Sequence, residues 1–192
     1  MKKDIILCGV GGQGILSIAT IIGAAATKAG LQLKQAEVHG MSQRGGDVQS
    51  NLRLSTQTIY SDLIPCGTAD LVISMEPMEA LRYLPYLAKD GTVVTSSKAF
   101  VNIPNYPDEA AVKAELAALP SCVTLEIDDV AREAGNPRGA NMVLLGMAAP
   151  FIDILTVEQL REAVAVVFAR KGEAVVEGNL KAFDLGVAAS KR

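Results

Sequence analysis

The stretch Ile5-Ile6-Leu7-Cys8-Gly9-Val10-Gly11-Gly12-Gln13-Gly14-Ile15 decides the fold. Asp4–Cys8 is a continuous apolar run, as expected for a strand covered on both faces of a sheet. Gly9–Gly14 is a glycine-rich turn. Ile15–Ala29 then carries small and branched apolar residues on nearly every side, the composition of a helix packed closely on a sheet, and Gly30 closes it as a C-cap. Strand, tight turn and helix in this order make the opening unit of an α/β fold.

Working outward, Leu33–Val38 reads as a second strand. It delivers Glu37 to the loop Glu37-Val38-His39-Gly40-Met41-Ser42-Gln43-Arg44-Gly45-Gly46. Asp47–Ser55 alternates, with Val48, Ser50, Leu52 and Leu54 on one face, the period of a half-exposed strand. A turn at Ser55-Thr56-Gln57 predicts a hairpin with Thr58–Ser61, hence an antiparallel pair within a mostly parallel sheet. Ala69–Met75 is a buried strand, and Pro77 suits the first turn of a helix reaching about Leu87. Thr92–Ser96 is a strand, Asp108–Leu119 a helix, and Val123–Ile127 the last strand. The rest is helical. Thr156 and Gln159 are spaced as a capping box, and Val157, Leu160, Val164 and Val167 form one stripe. Val176, Leu180, Phe183 and Val187 form another. With no repeat and no linker, residues 1–192 read as one three-layer α/β/α, Rossmann-like domain with a mixed, mostly parallel sheet that includes an antiparallel hairpin.

Composition narrows the function. A net charge of −3 with no basic block excludes nucleic acid as an expected partner. The three cysteines, Cys8, Cys66 and Cys122, are scattered and form no C-x-x-C, so no zinc or iron–sulfur site is read from them. Unpaired thiols, no signal-peptide pattern and no apolar stretch of membrane-spanning length point to a cytoplasmic protein.

Two segments carry the candidate site. Gly9-x-Gly11-x-x-Gly14 between strand and helix lets backbone approach an anion held on unpaired helix amides. Glu37 falls 23 residues beyond Gly14, near where a ribose-binding acid belongs in a dinucleotide fold. The same turn also serves simply to pack a helix on a strand. No Gly-Lys-Ser/Thr follows, which argues against a P-loop. The loop from His39 to Gly46 joins the donors Ser42, Gln43 and Arg44 to the permissive backbone of Gly40, Gly45 and Gly46, a combination suited to an anionic group. The candidate cofactor-binding set is therefore Gly9, Gly11, Gly12, Gln13, Gly14, Glu37, His39, Ser42, Gln43, Arg44, Gly45 and Gly46. Glu76 either faces the same crevice or caps the helix at Pro77. Asn136-Pro137-Arg138-Gly139, followed by Asn141, reads as a polar turn. No catalytic engine is visible.

Gly9–Gly14, then Glu37–Gly46, then Arg53 in the following strand, resemble the gamma module of the 2-oxoacid:ferredoxin oxidoreductases, and length and element order agree along the chain. The resemblance implies a gamma-type subunit, inactive alone, of an enzyme that oxidatively decarboxylates an aryl 2-oxoacid, indolepyruvate, to its acyl-coenzyme A while reducing ferredoxin. It further implies a larger partner subunit carrying thiamine diphosphate, magnesium and [4Fe-4S] clusters, with coenzyme A as co-substrate, because this chain has neither a diphosphate–magnesium motif nor a cysteine array. The glycine turn and the 42–46 loop would then meet either a ligand phosphate or the partner. Two other readings stay open from the residues alone: an independent NAD(P)- or flavin-dependent oxidoreductase, and a non-catalytic nucleotide-binding module.

Overall fold

The computed structural model describes residues 1–39, 45–101 and 103–190. The elements run β1 (Lys2–Val10), α1 (Ile15–Lys28), β2 (Gln32–His39), β3 (Asp47–Ser55), β4 (Ala69–Ser74), α2 (Pro77–Arg82), β5 (Leu87–Ser96), α3 (Glu109–Ala117) and β6 (Cys122–Leu125). Four helices complete the chain: α4 (Ile127–Glu133), α5 (Ala140–Ala148), α6 (Val157–Phe168) and α7 (Glu173–Ala189). The strands form one six-stranded sheet in the order β2-β3-β1-β4-β5-β6. β1, β4, β5 and β6 pair in parallel, while β3 lies antiparallel between β1 and β2.

Successive residues of β1 point to opposite faces, which is why the run is apolar throughout. Ile5 and Leu7 join the core under α1, α5, α6 and α7. Ile6 and Cys8 join the second core, with Ala80 of α2 and Val112 and Leu116 of α3. α1 contributes the fully buried Ile18, Ile21 and Ile22 to the first core, each side chain stabilising by about 1.5–3 kcal/mol. It ends as read: Gly30, at φ +72, follows the last turn, with Leu31 N–H donating to the Ala26 carbonyl and Gly30 N–H to that of Thr27. The Thr156–Gln159 capping box is present in both directions.

α5 is buried along almost its whole length, and it crosses α7 at two glycines. A Cβ on Gly146 would lie 2.0 Å from the Phe183 carbonyl oxygen, and one on Gly186 would lie 2.0 Å from that of Val143. The backbones touch there because neither residue has a side chain.

The structure corrects three expectations. Residues 58–61 form no strand. The antiparallel hairpin is β2–β3, and β3 has no free edge for another partner because β1 and β2 occupy both sides. Instead the Arg53 guanidinium takes the carbonyls of Ser61 and Leu63, at 3.1 and 3.0 Å, and fixes that segment as a loop. The helix from Pro77 stops at Arg82 and gives way to a 3-10 turn over Leu84–Tyr86. Pro85 has no N–H for a continuing helix and would clash with the preceding turn. Ile127 opens α4 rather than ending β6. Among the described residues no helix is long and apolar enough to cross a membrane.

Candidate functional site

The two glycine-rich segments meet. Gly11 N–H donates to the Gly46 carbonyl at 2.8 Å, and Gly45 N–H donates to the Gly11 carbonyl at 3.3 Å. The pairing of β1 with β3 continues through Gly9 opposite Val48 and Val10 opposite Asp47, so this exchange extends the sheet into the loop. The result is a rim at the end of β1, built from backbone.

Gln13 shapes that rim. Its Oε1 accepts from Val10 N–H at 2.7 Å while its own N–H donates to the Val10 carbonyl at 3.1 Å. The carboxamide oxygen is thus committed to the turn. Gly12, at φ +100, stands in open space at the apex. Gly14, at φ +88, is the N-cap of α1 and offers no side-chain acceptor, and the first turn holds no acid. The opening amides of α1 consequently lack an intrahelical partner, and the helix dipole makes that end electropositive. A cleft of about 360 Å³ opens beside the turn, with Val10, Gly11, Gly12, Ile15 and Leu16 in its wall. Among the described residues its walls are backbone and aliphatic carbon, with no acid or base placed for chemistry.

Asn141, read from the sequence only as following a polar turn, reaches the glycine turn. Its Nδ2 donates to the Gly14 carbonyl at 3.2 Å. A Cβ on Gly14 would come within 2.6 Å of that nitrogen. The polar turn 136–139 was visible, but nothing local joins it to a glycine 127 positions earlier.

Of the second segment, Gly45 and Gly46 are at the rim, and His39 ends β2 opposite Val48. Gly40, Ser42, Gln43 and Arg44 lie outside the described residues. Glu37 stands apart. It sits on β2, at the sheet edge, in register with Ser50, whose other neighbour is Leu7 of β1. Two strand spacings, about 10 Å, separate it from β1, and its carboxylate accepts from Gln35 at 2.7 Å. An acid that binds ribose needs its strand beside β1, and here β3 holds that place.

Other candidates resolve as architecture. Glu76, 1% exposed, is the N-cap of α2. It accepts from Glu79 N–H at 2.9 Å, from Phe100 N–H at 3.3 Å and from the Tyr106 hydroxyl. Arg53 forms a two-pronged pair with the buried Asp4, at 2.8 and 3.0 Å. Burial works to raise the Asp4 carboxyl, but the hydrogen bonds from Arg53 and Lys2 outweigh it and hold it below the usual range. Asp47, next after the rim, accepts from the Tyr83 hydroxyl at 3.4 Å, which ties the start of β3 to the end of α2.

The thiols do not form a ligand set. Cys8 is buried in β1 and pushed up to about 12 by burial, Cys122 is pushed up to about 11 by the same cause, and Cys66 is exposed on a loop. Among the described residues no group of three or more His, Cys, Asp or Glu could hold a metal.

Comparison with known proteins adds the following. The family model described as pyruvate ferredoxin/flavodoxin oxidoreductase matches residues 4–189. The indolepyruvate oxidoreductase subunit IorB of Pyrococcus horikoshii is 38% identical over 100% of this chain and 98% of its own length. The keto/oxoacid ferredoxin oxidoreductase gamma subunit of Geobacter sulfurreducens superposes with a TM-score of 0.72 at 25% identity, covering 98% of each chain. The 2-oxoglutarate:ferredoxin oxidoreductase of Magnetococcus marinus, solved with 2-oxoglutarate, coenzyme A and succinyl-CoA, superposes at 0.75 and 24% identity. It covers 99% of this chain and 31% of that one, and its likeness is one of fold.

Proposed function

The chain belongs to the pyruvate ferredoxin/flavodoxin oxidoreductase family, and from that premise we propose that it is the small, non-autonomous subunit of an indolepyruvate ferredoxin oxidoreductase. The observation that carries this reading is the end-to-end match to the archaeal indolepyruvate subunit. Residues 1–192 then serve as one gamma-type domain. The assembled enzyme converts a 2-oxoacid and coenzyme A into an acyl-coenzyme A and carbon dioxide, and two electrons pass to ferredoxin. Thiamine diphosphate, magnesium and [4Fe-4S] clusters belong to the larger partner subunit, since the scattered, partly buried thiols here cannot ligate a cluster.

This chain's part is binding and orientation. The rim joining Gly11 to Gly45 and Gly46 presents fixed backbone beside the uncapped start of α1. A phosphate of coenzyme A is the anion such a helix end favours, and Ser42, Gln43 and Arg44 would add donors from the adjoining loop. Gln13 and Asn141 keep the turn in shape from below. The nicotinamide alternative needed Glu37 on the ribose, and the edge position of β2 speaks against it.

The test is to isolate the chain natively with whatever holds it and to assay the eluate for oxoacid-driven reduction of ferredoxin. A brown, thiamine-dependent partner and reduction driven by indolepyruvate with coenzyme A are the expected result. Activity with another oxoacid would correct the substrate. A colourless chain eluting alone and binding a dinucleotide would overturn the proposal.

A further inference from the structure

β2 is the outermost strand of the sheet, with β3 on one side and, among the described residues, no strand on the other. An open edge presents a row of unpaired backbone N–H and C=O groups, and proteins blunt such edges with proline, bulges or very short strands. β2 uses none of these. It runs for eight residues, Gln32–His39, contains no proline and pairs with β3 without a register shift. Lys34 is its only lysine or arginine. Val38, 55% exposed, adds apolar surface at the same edge.

The side chains say which strand fits there. Alternation puts Leu33, Gln35 and Glu37 on one face of β2, and Lys34, Ala36 and Val38 on the other. A second copy of this chain, related by a two-fold axis normal to the sheet, would pair antiparallel with each side chain kept on its own face. Such a register must be centred on one residue. Centred on Lys34 it sets Lys34 against Lys34, and centred on Glu37 it sets Glu37 against Glu37; like charges directly opposite destabilise. Centred on Gln35 it lays Glu37 against Leu33, which packs on the core, so a carboxylate would lose water beside apolar carbon. Centred on Ala36 it spans residues 33–39 and has none of these faults. Lys34 lies opposite Val38, where its aliphatic stem can cover the exposed valine. Gln35 lies opposite Glu37, and its amide, which donates at 2.7 Å to Glu37 of its own strand, can donate to Glu37 of the other copy instead. The small Ala36 sits at the axis.

We propose that β2 is a self-association edge, through which two copies of this chain pair antiparallel about Ala36 into one continuous sheet. The inference does not rest on the oxidoreductase reading, and its test needs only the full chain.

Sedimentation equilibrium measures it, with the melting curve of each variant as the check on folding. A monomer–dimer equilibrium is expected. Ala36→Lys and Ala36→Glu each bring like charges together at the axis and should weaken association about fivefold or more. Mixing the two variants sets opposite charges there and should restore the dimer, a result that loss of folding cannot produce. Amide hydrogen exchange in β2 should slow as the chain concentration rises. A chain that stays monomeric at millimolar concentration, a dimer that neither variant weakens, a mixture that fails to associate, or β2 amides protected only when a larger partner is bound would overturn the proposal.

Discussion

Replacing Gly146 with alanine sets one methyl group against a peptide carbonyl. The new Cβ would lie 2.0 Å from the Phe183 oxygen, where ordinary contact begins at 3.4 Å, so α5 and α7 must part by about 1.4 Å at their crossing. The obstacle is backbone, which no rotamer change relieves. A gap of 0.5–1 Å already forfeits about a quarter to a half of each contact's attraction, and Val143, Met147, Ala182 and Phe183 all lie in that core. Overpacking costs about 1–3 kcal/mol where side chains can yield; with rigid neighbours we expect about 3 kcal/mol or more. For a chain of this length that lowers the melting temperature by roughly 6–12 °C. Gly178→Ala, in the partner helix α7, is the matched control. Its Cβ would meet Asn136 at an ordinary 3.6 Å, and the gain in helix propensity should stabilise by about 0.5–1 kcal/mol. Urea unfolding of both variants tests the reasoning. A loss below about 1 kcal/mol in Gly146→Ala would show that the helices separate freely and that the close crossing holds nothing together.

Four further outcomes are expected. Arg53→Met leaves Asp4 buried beside Lys2 alone and frees the 61–63 loop, at a cost of about 3 kcal/mol in chemical unfolding; a smaller loop-only effect would show that Lys2 suffices. Because the folded Asp4 carboxyl is lowered, its contribution is present above the unfolded pKa and disappears as the pH falls through the folded one. Asp4→Asn should therefore flatten the acid limb of the stability curve. Glu79 has the opposite sign: burial, then the nearby Asp47 and Glu76, raise it despite Arg82, so stability is lost as the pH rises through its folded pKa. Glu79→Gln should remove that decline, and an unchanged pH profile would discount the burial argument. In the assembled enzyme, Arg44→Ala should lower turnover with oxoacid and coenzyme A while the chain's melting curve stays the same; full turnover would remove the 42–46 loop from the site.

What could be read in advance was local. The β1–turn–α1 unit, the Schellman close at Gly30 and the Thr156–Gln159 box each lie within a few residues, and their geometry follows from residue type. What could not be read was pairing at a distance. Alternation marked β3 as a half-exposed strand but not its neighbours, so the hairpin was assigned to the following segment instead of the preceding strand. The insertion of β3 also moved Glu37 two strands from the turn, which spacing along the chain cannot reveal. Arg53 stood out in the sequence, yet its partner is Asp4, 49 positions earlier. The glycine rim itself was half legible: each segment was recognisable, but not their joining through Gly11 and Gly46.

The bond from Asn141 to Gly14 spans 127 positions, and it imposes an order on synthesis. A chain growing from its N-terminus displays the glycine turn early, with β1, α1 and β3 ready to assemble. The group that closes the base of that turn is not yet made. Until α5 has emerged and docked against α7, the turn stays unbraced.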